Sequence, residues 1–168
     1  MRVGVLADTH DRLPAVAELT RRFQESAVGL VLHAGDYCSP FALRPFLDAN
    51  IALAGVFGRN DGDREGLRAE ASKGVGTELY ESPHSVEVSG ARILVVYDLG
   101  EVSERSITEH AIVIHGFTHQ RQMRTTGDTL LLNPGEGCGW LYGVPSGAIL
   151  DLETKAVEFV TLEGDWAR

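Results

Sequence analysis

The sequence predicts an α/β fold of two packed β-sheets flanked by helices, and three observations point to it. The first half alternates short apolar, β-rich runs with longer amphipathic stretches, the pattern of βαβ units around a largely parallel sheet. The second half carries closely spaced short strands with a hairpin signal, which brings in antiparallel pairing. A length of 168 residues with 43% hydrophobic content is enough to bury one sizeable core and too little for two comfortable ones.

Residues 3–7 read as the first strand. Pro14, then Val16, Ala17, Leu19, Thr20 and Phe23 at helical spacing, predict a helix reaching about Glu25. Residues 28–33 form a second strand, and a short helix over about 40–47 leads to a third strand, 51–56, and the polar turn Gly58-Arg59-Asn60-Asp61-Gly62. Residues 85–88 and 92–97, joined by Ser89-Gly90-Ala91, read as a hairpin. Further strands are expected over 111–115, 129–132, 148–151 and 157–162. No repeat, low-complexity tract or long linker interrupts this order, so 1–168 is read as a single domain.

The charge narrows the partners. A net charge of -9 repels phosphate backbones, so nucleic acid is not expected as a general ligand. Cys38 and Cys138 lie far apart and fit no CxxC spacing, which makes them buried free thiols by default. The chain opens on a strand-like run rather than a leader and has no stretch of membrane-spanning length, so a cytoplasmic protein without a membrane partner is expected. A homo-oligomer is left open.

Chemistry-bearing residues gather where the predicted strands end, the place where α/β folds assemble sites. Asp8, His10 and Asp11 follow the first strand, Gly35 and Asp36 the second, Arg59, Asn60 and Asp61 the third, and His119 the strand that ends at His115. Imidazoles mixed with carboxylates suit Mn, Fe, Zn or Ni, whereas Mg and Ca favour all-oxygen shells. Singly, each has a structural reading: Asp8 a turn former, Asp36 a helix cap, the histidines solvated loop residues. Their arrival together after apolar strands is what favours a metal site.

The segments VGVLADTHD, VLHAGD, GRND, HGFTH and NPGEGCGWLYGVPSGAILDLETKAVEFVTL, in this order, resemble the calcineurin-like metallophosphoesterases. Within that superfamily they resemble the branch of small prokaryotic phosphodiesterases that includes relatives of the retromer subunit of this fold. The resemblance implies a four-layer α/β/β/α sandwich, two adjacent metals bridged by an Asp, and attack on phosphorus by a metal-bound hydroxide. Carried over residue by residue, it implies a complete first metal site of Asp8, His10, Asp36 and His119. The second site departs from the pattern. Arg59 follows Gly58 where the family has a metal-binding Asn, Tyr97 stands where it has a His, and Phe117 replaces the first His of GHxH.

All three departures fall on one metal, which suggests a replaced subsite and a cofactor of one divalent transition metal, the second being absent or weak. Arg59 brings a permanent charge able to pair with Asp36 or a substrate phosphate, set against the plainer reading of an exposed turn arginine. Asn60 is a candidate hydrogen-bond donor to substrate. As stand-in ligands, Asn60 and Asp98 each need a local backbone adjustment, because a one-residue shift turns a strand side chain to the other face. His33, Asp61, Asp98 and His115 are placed behind the ligands, His33 and His115 as buried histidines. The glycines at 135, 137 and 139 follow Asn133-Pro134, so the family's Asn-Pro-Gly turn explains them better than a dinucleotide fingerprint. The resemblance also makes the segment between Leu99 and Ala111 short, altering the wall over the site.

The expected function is hydrolysis of a small phosphate ester, with Arg59 doing electrostatically part of the second metal's work. The competing expectation is a catalytically impaired binding or regulatory module that keeps the fold.

Overall fold

A computed structural model of the chain describes residues 1–164 and 166. Strands β1 (Arg2–Leu6), β2 (Leu30–His33), β3 (Ala52–Val56) and β4 (Thr77–Tyr80) run parallel, with helices α1 (Leu13–Glu25), α2 (Arg44–Asp48) and α3 (Arg64–Ala71) between them. A single 3-10 turn, Pro40–Leu43, precedes α2. Further along come β5 (His84–Val88), β6 (Ala91–Val96), α4 (Glu104–Thr108), β7 (Ile112–His115), β8 (Arg121–Thr126), β9 (Thr129–Pro134), β10 (Ser146–Asp151) and β11 (Val157–Thr161).

The strands form a six-stranded sheet in the order β11-β10-β1-β2-β3-β4 and a five-stranded sheet in the order β5-β6-β7-β9-β8. Both are mixed, since β10 is antiparallel to β1, β5 to β6 and β8 to β9. Three apolar layers hold the stack together. Val5, Leu32, Val56, Ile93, Ile112, Leu132 and Ala148 fill the space between the sheets. Leu6, Val16, Leu19, Phe23, Phe46, Leu53 and Leu67 pack the outer face of the first sheet against α1, α2 and α3. Leu94, Val96, Val113 and Leu131 meet Leu99, Val102 and Ile107 on the outer face of the second. The result is the α/β/β/α sandwich that the resemblance implies.

Four elements carry too weak a signal to be read from sequence, α4 among them because it buries no residue. All six residues of β8 are exposed, so no period-two burial marks this edge strand. Strand β4 has four residues, and α3 buries only Leu67 and Ala71. Phe23 is the keystone of the helical side: a Cβ on Gly4 would lie 2.7 Å from its ring and one on Gly147 2.9 Å, so both strands are bare where the ring lies across them.

Register sets the site. Leu6 of β1 pairs with His33 of β2, and His33 with Gly55 of β3, so three parallel strands end at one level and release their loops together. In the other sheet Val96 pairs with His115, which brings the loops after β6 and β7 to the same edge. No helix among the described residues is long and apolar enough to cross a membrane.

Phe23→Ala should destabilise the fold by about 3–5 kcal/mol, the usual cost of truncating a fully buried phenylalanine. Urea unfolding followed by far-ultraviolet circular dichroism measures it; a loss below about 1 kcal/mol would remove Phe23 from this role.

Candidate metal centre

The loop after β1 is stitched to the loop after β2 by backbone hydrogen bonds: Asp8 N donates to Gly35 O, and Thr9 N and His10 N both donate to Asp36 O, each at 3.0 Å. The loop after β9 closes the other side, with Gly137 N on Ala7 O at 2.8 Å and Cys138 N on Asp8 O at 3.1 Å. Between them the chain bends sharply. Asp8, His10, Asp36, Phe117 and His119 all have positive φ, from 38° to 67°. Left-handed non-glycine residues are costly and cluster where surrounding structure holds them for function.

Asp8, His10, Asp36 and His119 come together at this edge. His10 Nε2 lies 3.5 Å from Asp36 Oδ2, His119 Nε2 lies 3.7 Å from Asp8 Oδ1, and the two imidazoles stack with centroids 5.2 Å apart. Donor atoms of Asp8, His10 and Asp36 lie within 4.8 Å of one another. Asp8 is fully buried, yet neither of its oxygens has a hydrogen-bond partner among the described residues, and His10 Nε2 has none either. Burial pushes the Asp8 carboxyl up to about 7; His119 pulls it down and Asp36 pushes it further up. A carboxylate buried without partners is expensive unless a cation compensates it, so these residues fit a divalent metal ion.

Groups behind these four residues fix their orientation. Glu136 Oε2 accepts from His119 Nδ1 at 2.9 Å, which puts the lone pair on Nε2, toward Asp8. Burial raises Glu136, but the amides of Tyr142 and Leu141 together with His119 outweigh it and hold this carboxyl below its usual value. Asp61 accepts from the amides of Asp36 (3.1 Å), Cys38 (2.8 Å) and Gly58 (2.7 Å), pinning the loops after β2 and β3 to each other. His33 is fully buried; its Nδ1 accepts from Gly35 N at 3.1 Å and its Nε2 bonds Thr9 Oγ1 at 3.1 Å. Burial, with a smaller push from His10, lowers its pKa to about 3 and keeps it neutral.

Residues 1–155 match the family model described as the calcineurin-like phosphoesterase superfamily domain. The chain belongs to the calcineurin-like phosphoesterase superfamily. As a member it is a hydrolase acting on phosphoric ester bonds, from a family that depends on divalent metal. A phosphodiesterase of Methanocaldococcus jannaschii is 34% identical over 167 residues, covering 97% of this chain and 100% of its own. The solved structure of an archaeal phosphodiesterase is 32% identical, with a TM-score of 0.89 over 96% of this chain and 100% of that one. Vps29 of Entamoeba histolytica shares the fold at 18% identity, with a TM-score of 0.66 over 97% of this chain and 100% of its own.

On the phosphoesterase's other flank the structure differs from the sequence expectation. Arg59 does not meet Asp36. Its guanidinium is half-exposed, pairs with Asp98 at 2.8 Å and Glu101 at 2.9 Å, and lies 4.6 Å over the Phe117 ring and 5.7 Å from that of Tyr97. Two carboxylates and two aromatic faces draw it outward. Asn60 turns inward instead: its backbone N reaches Asp36 Oδ1 at 2.9 Å and its Nδ2 reaches Asp36 Oδ2 at 2.8 Å. Tyr97 donates its hydroxyl to Asp36 Oδ2 at 2.8 Å, and burial followed by this bond raises its pKa, so it remains a donor. Gly58 makes the approach possible, since a Cβ there would fall 2.2 Å from Asp36 Oδ1. Asp98 thus pairs with Arg59, and His115 stays in the strand, its Nδ1 3.4 Å from Asn133 Nδ2, apart from the donor group.

Glu136 and Cys138 are missing from the expected site residues, Cys138 having been read as a buried free thiol. Their signal was the glutamate set between two glycines after Asn133-Pro134, where a side chain without a turn-forming task is unusual.

Replacing Asp61 by Ala should cost at least about 2 kcal/mol, because three amide donors lose their acceptor at once. Asn should cost less, since its carbonyl still accepts. Chemical denaturation of both variants tests this, and an Ala variant as stable as the parent would contradict it.

Proposed function

We propose that the chain is a cytoplasmic, single-domain phosphodiesterase that hydrolyses a small phosphate ester with one divalent transition-metal ion held by Asp8, His10, Asp36 and His119. The observation that carries this reading is the asymmetry around Asp36. On one side stand the oxygens of Asp8 and Nε2 of His10, without hydrogen-bond partners among the described residues. On the other, where the family's second metal would sit, Asn60 and Tyr97 fill the oxygens of Asp36 with hydrogen bonds.

A divalent cation held there supplies Lewis-acid activation of water and of the phosphoryl group. Glu136 keeps His119 in the tautomer that offers Nε2. Asn60 uses one amide hydrogen on Asp36 and keeps a second for a phosphate oxygen at the mouth of the site. Arg59, its charge shared between Asp98 and Glu101 through Nη2, props the wall formed by Tyr97 and Phe117.

The ester's organic group has a place to go. A cleft of about 420 Å³ opens beside His119, lined by Gln120, Arg121, Glu136, Tyr142, Val144 and Ser146. Phe117, Trp140, Leu141 and Tyr142 expose large apolar surfaces, and the Trp140 Nε1 lies 3.4 Å from His10 O. This suits a substituent with an aromatic or apolar face. A larger cavity of about 530 Å³ between α1 and α2 holds none of the strand-end residues and is set aside as a substrate site. The same apolar rim is what a binding module would use, which keeps that second reading in play.

Hydrolysis of an activated bis-aryl phosphodiester should require added Mn or Zn, stop on chelation, and fall at least about a hundredfold in Asp36→Ala, in line with losing a group that stabilises the transition state. Glu136→Gln should weaken metal binding by about 10–100-fold in a titration while leaving the fold intact. If turnover never exceeds the metal-free control and Asp36→Ala changes nothing, the binding-module reading stands in its place.

A further inference from the structure

One buried side chain beside the centre has no task in this scheme. Cys138 is fully buried, is anchored by its amide to Asp8 O at 3.1 Å, and has its Sγ 3.6 Å from Glu136 Oε2. Its sulfur belongs to a second donor group with ring nitrogens of His10 and His119, all within 4.8 Å of one another. Two donors on one tetrahedral cation, with bonds of about 2.0–2.3 Å, stand roughly 3.3–3.8 Å apart, so small side-chain rotations bring this set to bonding distance.

The hydrogen-bond inventory favours this side. Asp36 already accepts three bonds: on Oδ1 from Asn60 N, and on Oδ2 from Asn60 Nδ2 and from Tyr97. Asp8 is fully buried, its oxygens have no hydrogen-bond partner among the described residues, and it faces the same group through His119, 3.7 Å from its Oδ1. Cys38 does not compete for the place. Its Sγ lies 3.2 Å from His10 Nδ1, while it is His10 Nε2 that lies 3.5 Å from Asp36.

We propose that Cys138 is a metal ligand, adding a thiolate to the Asp8, His10, Asp36 and His119 donor set and giving a centre that prefers zinc over manganese. The inference rests on the metal-centre reading above and adds a sulfur to it. Thiolate and imidazole are the ligands of zinc, whereas manganese favours oxygen, and a bound thiolate loses its proton to solvent as the cation binds.

Cobalt(II) tests this without reference to turnover. The wild-type protein loaded with cobalt should show a near-ultraviolet thiolate-to-cobalt charge-transfer band, and zinc-loaded protein should show one sulfur neighbour in X-ray absorption. Cys138→Ser should lose the band and at least about tenfold of the zinc-over-manganese preference in competition titrations, a loss that even an outer partner of a metal ligand commonly causes. Cys38→Ser should keep both. Cobalt that binds with no charge-transfer band overturns the Cys138 assignment and leaves the oxygen and imidazole site standing. A band that survives Cys138→Ser overturns it as well. Failure of cobalt and zinc to bind at all, by elemental analysis, overturns the metal centre together with it. Because the first two measurements use the unaltered chain, a folding defect in a variant cannot obscure the outcome.

Discussion

The centre depends on one buried aspartate that ties four loops together. Asp36 accepts through its carbonyl from Thr9 and His10, donates its amide to Asp61, and receives Asn60 and Tyr97 on its carboxylate. Loops from β1, β2, β3 and β6 therefore meet at a residue that is 1% exposed. Remove that knot and the positive-φ turn at His10 loses the hydrogen bonds of Thr9 and His10 that offset its strain. The two sheets make the knot affordable, because apolar layers on both sides of each sheet fix the strand ends before the loops begin.

The same residue explains the lopsided chemistry. Hydrogen-bond donors and cations compete for a carboxylate's lone pairs, and on the Tyr97 side the donors hold them. The Arg59 charge that the sequence suggested for that place is spent on Asp98 and Glu101, at the rim. On the opposite side the chain presents acceptors with no donors, Asp8 above all. Such an excess of lone pairs in a buried place is what a cation-binding site looks like before the cation is considered.

Much of the fold was legible because its signals are strong and local. The run 3–7 and the Pro14-led helix carry hydrophobic periodicity that matches what they bury, and Asp8, His10, Asp36 and His119 stand immediately beyond such runs. What sequence could not supply was the direction of side chains in an irregular turn. Pleat logic held that Asn60, one residue beyond the family's position, faces away; the turn at Gly58 does not follow strand alternation, and Asn60 faces in. Arg59 was misplaced for the complementary reason, since its partners Asp98 and Glu101 lie about forty residues away and come close only through the pairing of the sheets. The part Glu136 and Cys138 play at the site was hidden by their glycine neighbours, and α3, α4, β4 and β8 by having too little buried surface to leave a pattern.

Trp140 gives the centre an optical witness. Its indole lies under the Arg12 guanidinium, 4.2 Å from the ring centroid, and its Nε1 touches the carbonyl of His10. The chain has two tryptophans, and the other, Trp166, packs against the helical-side core. Emission from Trp140 therefore samples the neighbourhood of His10 directly: a paramagnetic ion arriving there quenches it, a closed-shell ion shifts it without quenching, and the fluorescence of the unmodified chain tells the two apart.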